Sequence, residues 1–161
     1  MPHDLRQTKK QTKKPIVGRS PGSFYNGHVE IQTDIERQGA DMKEDCGEFI
    51  LTLFHAATNT HILHLRSKSY AEHVALGAFY QELPDLVDAV AEAIQGLTET
   101  LIDYPIDYYP PAETALEELR SLKEYVFEER SELPQDSEIQ NLIDSISELI
   151  NSTIYKLKFL K

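Results

Sequence analysis

Six side chains have types and spacings that can do chemistry: His61, His64, His73, Asp85, Asp88 and Glu92. Asp88 and Glu92 are four residues apart and Asp85 is three before Asp88, so in a helix two or three carboxylates point the same way. A histidine on a neighbouring helix, His61, can face them. Neutral imidazoles and carboxylate oxygens suit iron, manganese or zinc, and carboxylates at helical spacing inside a bundle are how di-metal sites are built. A plainer reading stands beside this one: acids at that spacing also occur on solvated helix faces, and the histidines can be partly buried, hydrogen-bonded residues.

Other motifs are missing. The chain has no glycine-rich phosphate loop, no Cys-x-x-Cys and no His-Glu-x-x-His. Its single cysteine, Cys46, rules out an intrachain disulfide, which suits a reducing compartment, and a lone cysteine is more often a small buried hydrophobe than a nucleophile. Tyr104, Tyr108 and Tyr109 among prolines form a stiff aromatic loop that is either an interface or a lid on the bundle end.

The elements that must position these groups are helical. From Asp45 apolar residues recur at intervals of four, Phe49, Leu53, Ala57, His61 and Leu65, and predict a first helix over about 45–66. Ser69 with Glu72 is a capping-box signature for a second helix over about 69–95, with Tyr70, Val74, Leu83, Leu86, Val87, Val90 and Ile94 inward, Gly96 as its stop and a kink or short break at Pro84. Leu97–Pro111 is too rich in proline to be one helix and reads as a long connection. A third helix is expected over about 112–132, ended by Pro134. A fourth opens at Asp136 and carries the clearest apolar stripe, from Ile139 through Ile143, Ile146 and Ile150 to Leu157. Four such helices must bury their stripes against one another, which predicts an all-α, antiparallel four-helix bundle over residues 45–161, with a ferritin-like long connection between the second and third helices.

Residues 1–44 differ in kind. They are rich in Pro and Gly and show no sustained periodicity, which predicts an extended arm; His28–Thr33 alternates apolar and polar and can add a strand to a partner's edge. Charge separates the two parts. Arg6, Lys9, Lys10, Lys13, Lys14 and Arg19 against Asp4 give the first 20 residues +5, so the remaining 141 carry −16 of the total −11. An acidic body argues against a surface broadly dedicated to nucleic acid or anionic membrane. The lysine tract can meet phosphates, with Lys9, Lys10, Lys13 and Lys14 as candidate nucleic-acid contacts, or simply keep the arm solvated. Phe24, Tyr25, Val29 and Ile31 are the candidate apolar anchors for a protein partner. The basic start is not followed by a signal-peptide core, and no run approaches the ~18 apolar residues of a membrane span, so a soluble chain is expected.

The run Thr60–Tyr80, followed by Leu83-Pro-Asp-Leu-Val-Asp and closed by Ile139-Gln-Asn-Leu-Ile-Asp and Ile154-Tyr-Lys-Leu, resembles a family of small uncharacterised helical proteins encoded by tailed bacteriophages. More distantly, the region is similar to the Dps-type miniferritins, which oxidise iron and shield DNA. The spacing of His61, His73, Asp88 and Glu92 matches the miniferritin pattern, and the resemblance implies that these four are ferroxidase ligands shared between two subunits.

Together these readings predict a non-enzymatic structural or assembly component of a large complex, plausible in a phage virion or host cytoplasm. It would be a homo-oligomer without a resident cofactor, docked on other proteins through its arm. The rival expectation is a miniferritin-like protein that binds and oxidises iron and touches DNA through the lysines.

Overall fold

The computed structural model describes residues 27–160, with side chains from Met42 to Leu160. Four helices follow one another: α1 (Gly27–Arg66), α2 (Tyr70–Thr98), α3 (Ala115–Glu129) and α4 (Ser137–Phe159). No strand occurs among the described residues. The expected strand at His28–Thr33 is therefore corrected: it lies in the first turns of α1, which begins well before Asp45. Six alternating residues do not distinguish a strand from a helix segment, and the downstream context of Glu36, Arg37, Ala40, Met42 and Lys43 favours helix. The extended reading of the arm thus fails for residues 27–44, while residues 1–26 lie outside those described.

The helix ends follow local chemistry. Ser69 caps α2, its hydroxyl accepting from the Glu72 amide at 3.4 Å. Thr114 and Glu117 form a reciprocal capping box at the start of α3, later than the expected start near Ala112. α2 runs unbroken through Pro84 and past Gly96 to Thr98, and the left-handed cap is Glu99 (φ 52°) rather than the glycine. At that end Thr98 Oγ1 donates to the Ile94 carbonyl at 2.9 Å and Gln95 Oε1 accepts from the Ile102 amide at 3.1 Å, so side chains take over where backbone pairing stops.

α1 packs on α2 and α3, and α4 packs on the same two helices. Phe49, Leu53, Phe79, Leu83, Val87, Leu119, Val126, Ile139, Ile143 and Ile146 fill the core between them. Leu63, Leu76 and Ala115, with Leu157 against them, form a smaller cluster at one end, so the C-terminal turns of α1 and α4 meet the N-terminal turns of α2 and α3 there. Residues 99–114 must then travel from the far end of α2 back to this end. They do so along α1, passing Gly47 at Asp103 and reaching Asn59 at Tyr109. Gly47 is what allows the approach: a Cβ at this buried position would clash with the Asp103 carbonyl oxygen.

Several expected core positions are exposed. On α1 the series Phe49, Leu53, Ala57, His61, Leu65 rotates about 40° around the helix at each step of four, because a turn is about 3.6 residues. The first three members are buried, whereas His61 is exposed and Leu65 is 71% exposed. The buried line continues instead through Ala56, Thr60 and Leu63. On α2 the core line is Leu76, Phe79, Leu83, Val87, Val90 and Ile94; Tyr70 and Val74 lie on the opposite side, 84% and 49% exposed.

Candidate functional site

Two places gather polar side chains that are not explained by helix capping or surface solvation alone. The first is the corner between α1 and α2. His64 Nδ1 donates to the His73 carbonyl at 2.7 Å, and His73 Nδ1 donates to the His64 carbonyl at 3.2 Å. A carbonyl only accepts, so both rings carry a proton on Nδ1 and, when neutral, keep a lone pair on Nε2. The two rings stack with centroids 3.7 Å apart, and His61 stacks on Tyr80 at 4.0 Å. Gly77 faces the His64 ring, where a Cβ would lie 3.3 Å from Cε1.

This corner does not gather the expected metal ligands. His61, His73, Asp88 and Glu92 are all exposed. Asp88 and Glu92 lie about 22 and 28 Å along α2 from His73 at about 1.5 Å per residue. The stacked pair His64 and His73 cannot place one ion in the plane of both rings. No group of three or more His, Cys, Asp or Glu side chains that could hold a metal ion occurs among the described residues. Any site built from these four residues therefore needs donors from a second copy. Val29 and Ile31 fall in α1, and Phe24, Tyr25, Lys9, Lys10, Lys13 and Lys14 lie outside the described residues. Cys46 is fully enclosed, and burial followed by the nearby Asp45 carboxylate pushes its thiol up to about 11, which leaves it protonated and unreactive.

The second place was not singled out from the sequence. It is a polar seam between α1, the 99–114 connection and α3. Asn59, 2% exposed, donates from Nδ2 to the Tyr109 carbonyl at 3.2 Å and to Glu118 Oε1 at 3.1 Å. Glu118 Oε2 accepts from the Ala112 amide at 2.7 Å. The His55 ring sits edge-on to Tyr108 and Tyr109, with centroids 5.8 and 5.4 Å away. Burial lowers the basicity of His55, opposed by the Asp107 carboxylate. Asn59 Oδ1 and His55 Nδ1 are enclosed and have no hydrogen-bond partner. The signal for this seam was present in the sequence as Thr52, His55 and Asn59, a polar stripe at helical spacing inside an otherwise apolar helix face.

Four helices, with a connection that runs along α1 from Gly47 to Asn59 and a tyrosine-flanked polar seam beneath it, make the described residues an all-helical bundle. The chain belongs to a family of unknown function (DUF5856), whose pattern matches residues 64–157. It is also similar to the uncharacterized 14.6 kDa protein in the mobD-ri intergenic region of Enterobacteria phage T4, 36% identical over 64 residues, which is 40% of this chain and 48% of that protein. The chain thus spans about half the length of that relative. No solved structure matches it. The expected kinship with uncharacterised phage-associated proteins holds, and no helix among the described residues is long and apolar enough to cross a membrane.

Proposed function

We propose that this protein is a non-enzymatic structural or assembly component of a larger phage-related complex, in the virion or the host cytoplasm, and that it self-associates. In this reading residues 45–161 are a ferritin-like body and the segment before them, including the first turns of α1, is the attachment region. The observation that carries it is the apolar surface at the α1–α2 end of the bundle. Leu65, Tyr70 and Val74 at the corner and Tyr155, Phe159 and Leu160 at the end of α4 are 71%, 84%, 49%, 55%, 61% and 50% exposed. Six of the twelve exposed large apolar side chains among the described residues gather at this end, the others being Leu97, Leu101, Tyr104, Ile106, Tyr108 and Phe127, and such a cluster supports a protein-binding face. The kinship with a phage protein supplies the setting.

A second reading, a miniferritin-like iron protein, is favoured by the packing order of the helices with its long connection, and by the free Nε2 positions that the Nδ1 hydrogen bonds leave on His64 and His73. Iron would then sit between two copies, with His61 and His73 set against Asp88 and Glu92. Sedimentation velocity separates the readings when combined with an iron assay. The assembly reading expects a species larger than the monomer that Tyr70→Ser with Phe159→Ser disperses at unchanged helicity. A chain that stays monomeric at every concentration overturns it, and ferrous iron oxidised faster than in buffer, with the rate lost in Glu92→Ala, would put the miniferritin reading in its place.

A further inference from the structure

The outer side of residues 99–114 is a strip that nothing among the described residues covers. Leu101, Tyr104, Ile106 and Tyr108 are all exposed, Ile106 completely. Glu99, Asp103, Asp107 and Glu113 are exposed along the same stretch, and no lysine or arginine occurs anywhere from 99 to 114. None of these four carboxylates has an ion-pair partner among the described residues. Where the strip meets α1, Lys43, Glu44, Asp103, Tyr104 and Pro105 line an open cleft of about 400 Å³. An acidic strip that bears tyrosines suits a basic, extended segment: carboxylates take charge-assisted hydrogen bonds from lysine and arginine, and tyrosine faces attract the same cations.

The chain carries one such segment. Arg6, Lys9, Lys10, Lys13, Lys14 and Arg19 against Asp4 give residues 1–20 a net +5, and the four acids give residues 99–114 a net −4. Reach decides whether the two can meet. α1 begins at Gly27 and rises about 1.5 Å per residue, so Glu44 and Gly47, the latter against Asp103, lie roughly 26 and 30 Å along it. Tyr108, edge-on to the His55 ring, stands at roughly 42 Å. A chain that reverses at the turn dipeptide Pro21-Gly22 covers at most about 3.3 Å per residue on its way back. Lys14 and Lys9 then reach roughly 20 and 36 Å, which brackets the cleft, and Arg6 reaches roughly 46 Å, past the level of Tyr108. We infer that the acidic, tyrosine-bearing strip of the connection is a docking surface for this chain's own residues 1–20, which return along α1 with their lysines at the cleft between Glu44 and Asp103. A tether this short holds the arm at an effective concentration of about millimolar, above what a second copy supplies in dilute solution. The docking goes beyond the assembly reading, because any partner of the lysines must first displace the strip.

The test uses the full chain with Gln11→Cys carrying a nitroxide label; Cys46 is enclosed and stays unlabelled. At low ionic strength the NMR signals of the Asp103, Tyr104, Ile106 and Asp107 amides should lose about half their intensity or more, as a tethered segment that is docked most of the time requires. The amides of Lys156 and Lys158, at the other end of the bundle, should lose none. Salt at about 1 M, where the screening length is about 3 Å, should restore the signals. Replacing Lys9, Lys10, Lys13 and Lys14 with glutamine should restore them at low salt, and so should Asp103→Asn with Asp107→Asn. The lysine variant leaves the helical body untouched, so it decides the matter even where the aspartate variant disturbs the connection. Amides at 103–107 that ignore the label, or broadening that survives the lysine replacement, overturn the docking. Broadening passed from labelled copies to isotope-enriched copies without a label assigns the arm to a second molecule, and overturns docking on its own chain.

Discussion

α4 and α1 both bury an apolar face, but α1 buries a polar one as well. α4 encloses Ile139, Ile143, Ile146 and Ile150 completely, and its buried polar residue, Thr153, satisfies itself by donating to the Leu149 carbonyl at 2.9 Å. α1 encloses Phe49, Ile50 and Leu53 on one side, and on another it encloses Thr52, Asn59 and Thr60, with His55 half-buried beside them. The dry face of α4 carries stability because each isoleucine leaves water at the expense of nothing polar. The polar face of α1 has a different role: its hydrogen bonds fix where residues 99–114 lie, and so decide the shape of the seam. Positioning of the connection is thus carried by a polar face of α1, while the apolar faces of both helices carry stability.

The sharpest way to break this division is at its dry side. Ile146→Asp places a carboxylate in a fully enclosed apolar site and should cost roughly 4–5 kcal/mol, a large share of the stability of a bundle this size. Loss of the helical circular dichroism signal, or a much lower denaturant midpoint, is the expected outcome. Near-native melting would show that the α4 stripe does not face the core.

The seam should respond more mildly. Gly47→Ala drives a methyl into the Asp103 carbonyl, so the connection must shift, at a cost of about 1–3 kcal/mol. Hydrogen exchange of the Ile102 and Ala112 amides should accelerate while the α4 amides stay protected. Uniform acceleration across the chain would mean that the connection and the core are one cooperative unit.

The smallest effect is one of pH. Burial lowers the pKa of His55 from its ordinary 6.5, and the Asp107 carboxylate opposes the shift only in part. The neutral ring is the form that the fold accommodates. Its contribution is complete above the ordinary value and is lost as pH falls through 6.5 toward the lower folded value. The melting temperature should therefore fall on mild acidification, and His55→Gln should flatten that part of the profile. An unchanged slope in the variant would assign the pH response to other groups, such as Asp107, Glu117 or Glu118.

What was legible in the sequence is what depends on short-range pattern. Helix four was readable nearly to its ends, because an unbroken run of apolar residues at intervals of three and four has one sensible face. The proline-rich connection and the Ser69 cap were readable from residues that limit backbone geometry locally. Less was readable where a pattern drifts: intervals of four alone carried the first helix off its core face by His61, and a six-residue alternation at His28–Thr33 resembled a strand that the structure replaces with helix.

By itself, then, the sequence determined an all-helical chain with a basic start and an acidic body, since composition and periodicity act residue by residue. Only the tertiary structure decided that His64 and His73 clasp each other's backbone, and that Asn59 and Glu118, 59 positions apart, meet beneath Tyr109. Those meetings depend on the path of residues 99–114 across α1, which is settled by the close approach at Gly47 and by hydrogen bonds between distant segments. No local pattern contains them, because each requires two stretches of chain to be brought together before either partner has anything to bind.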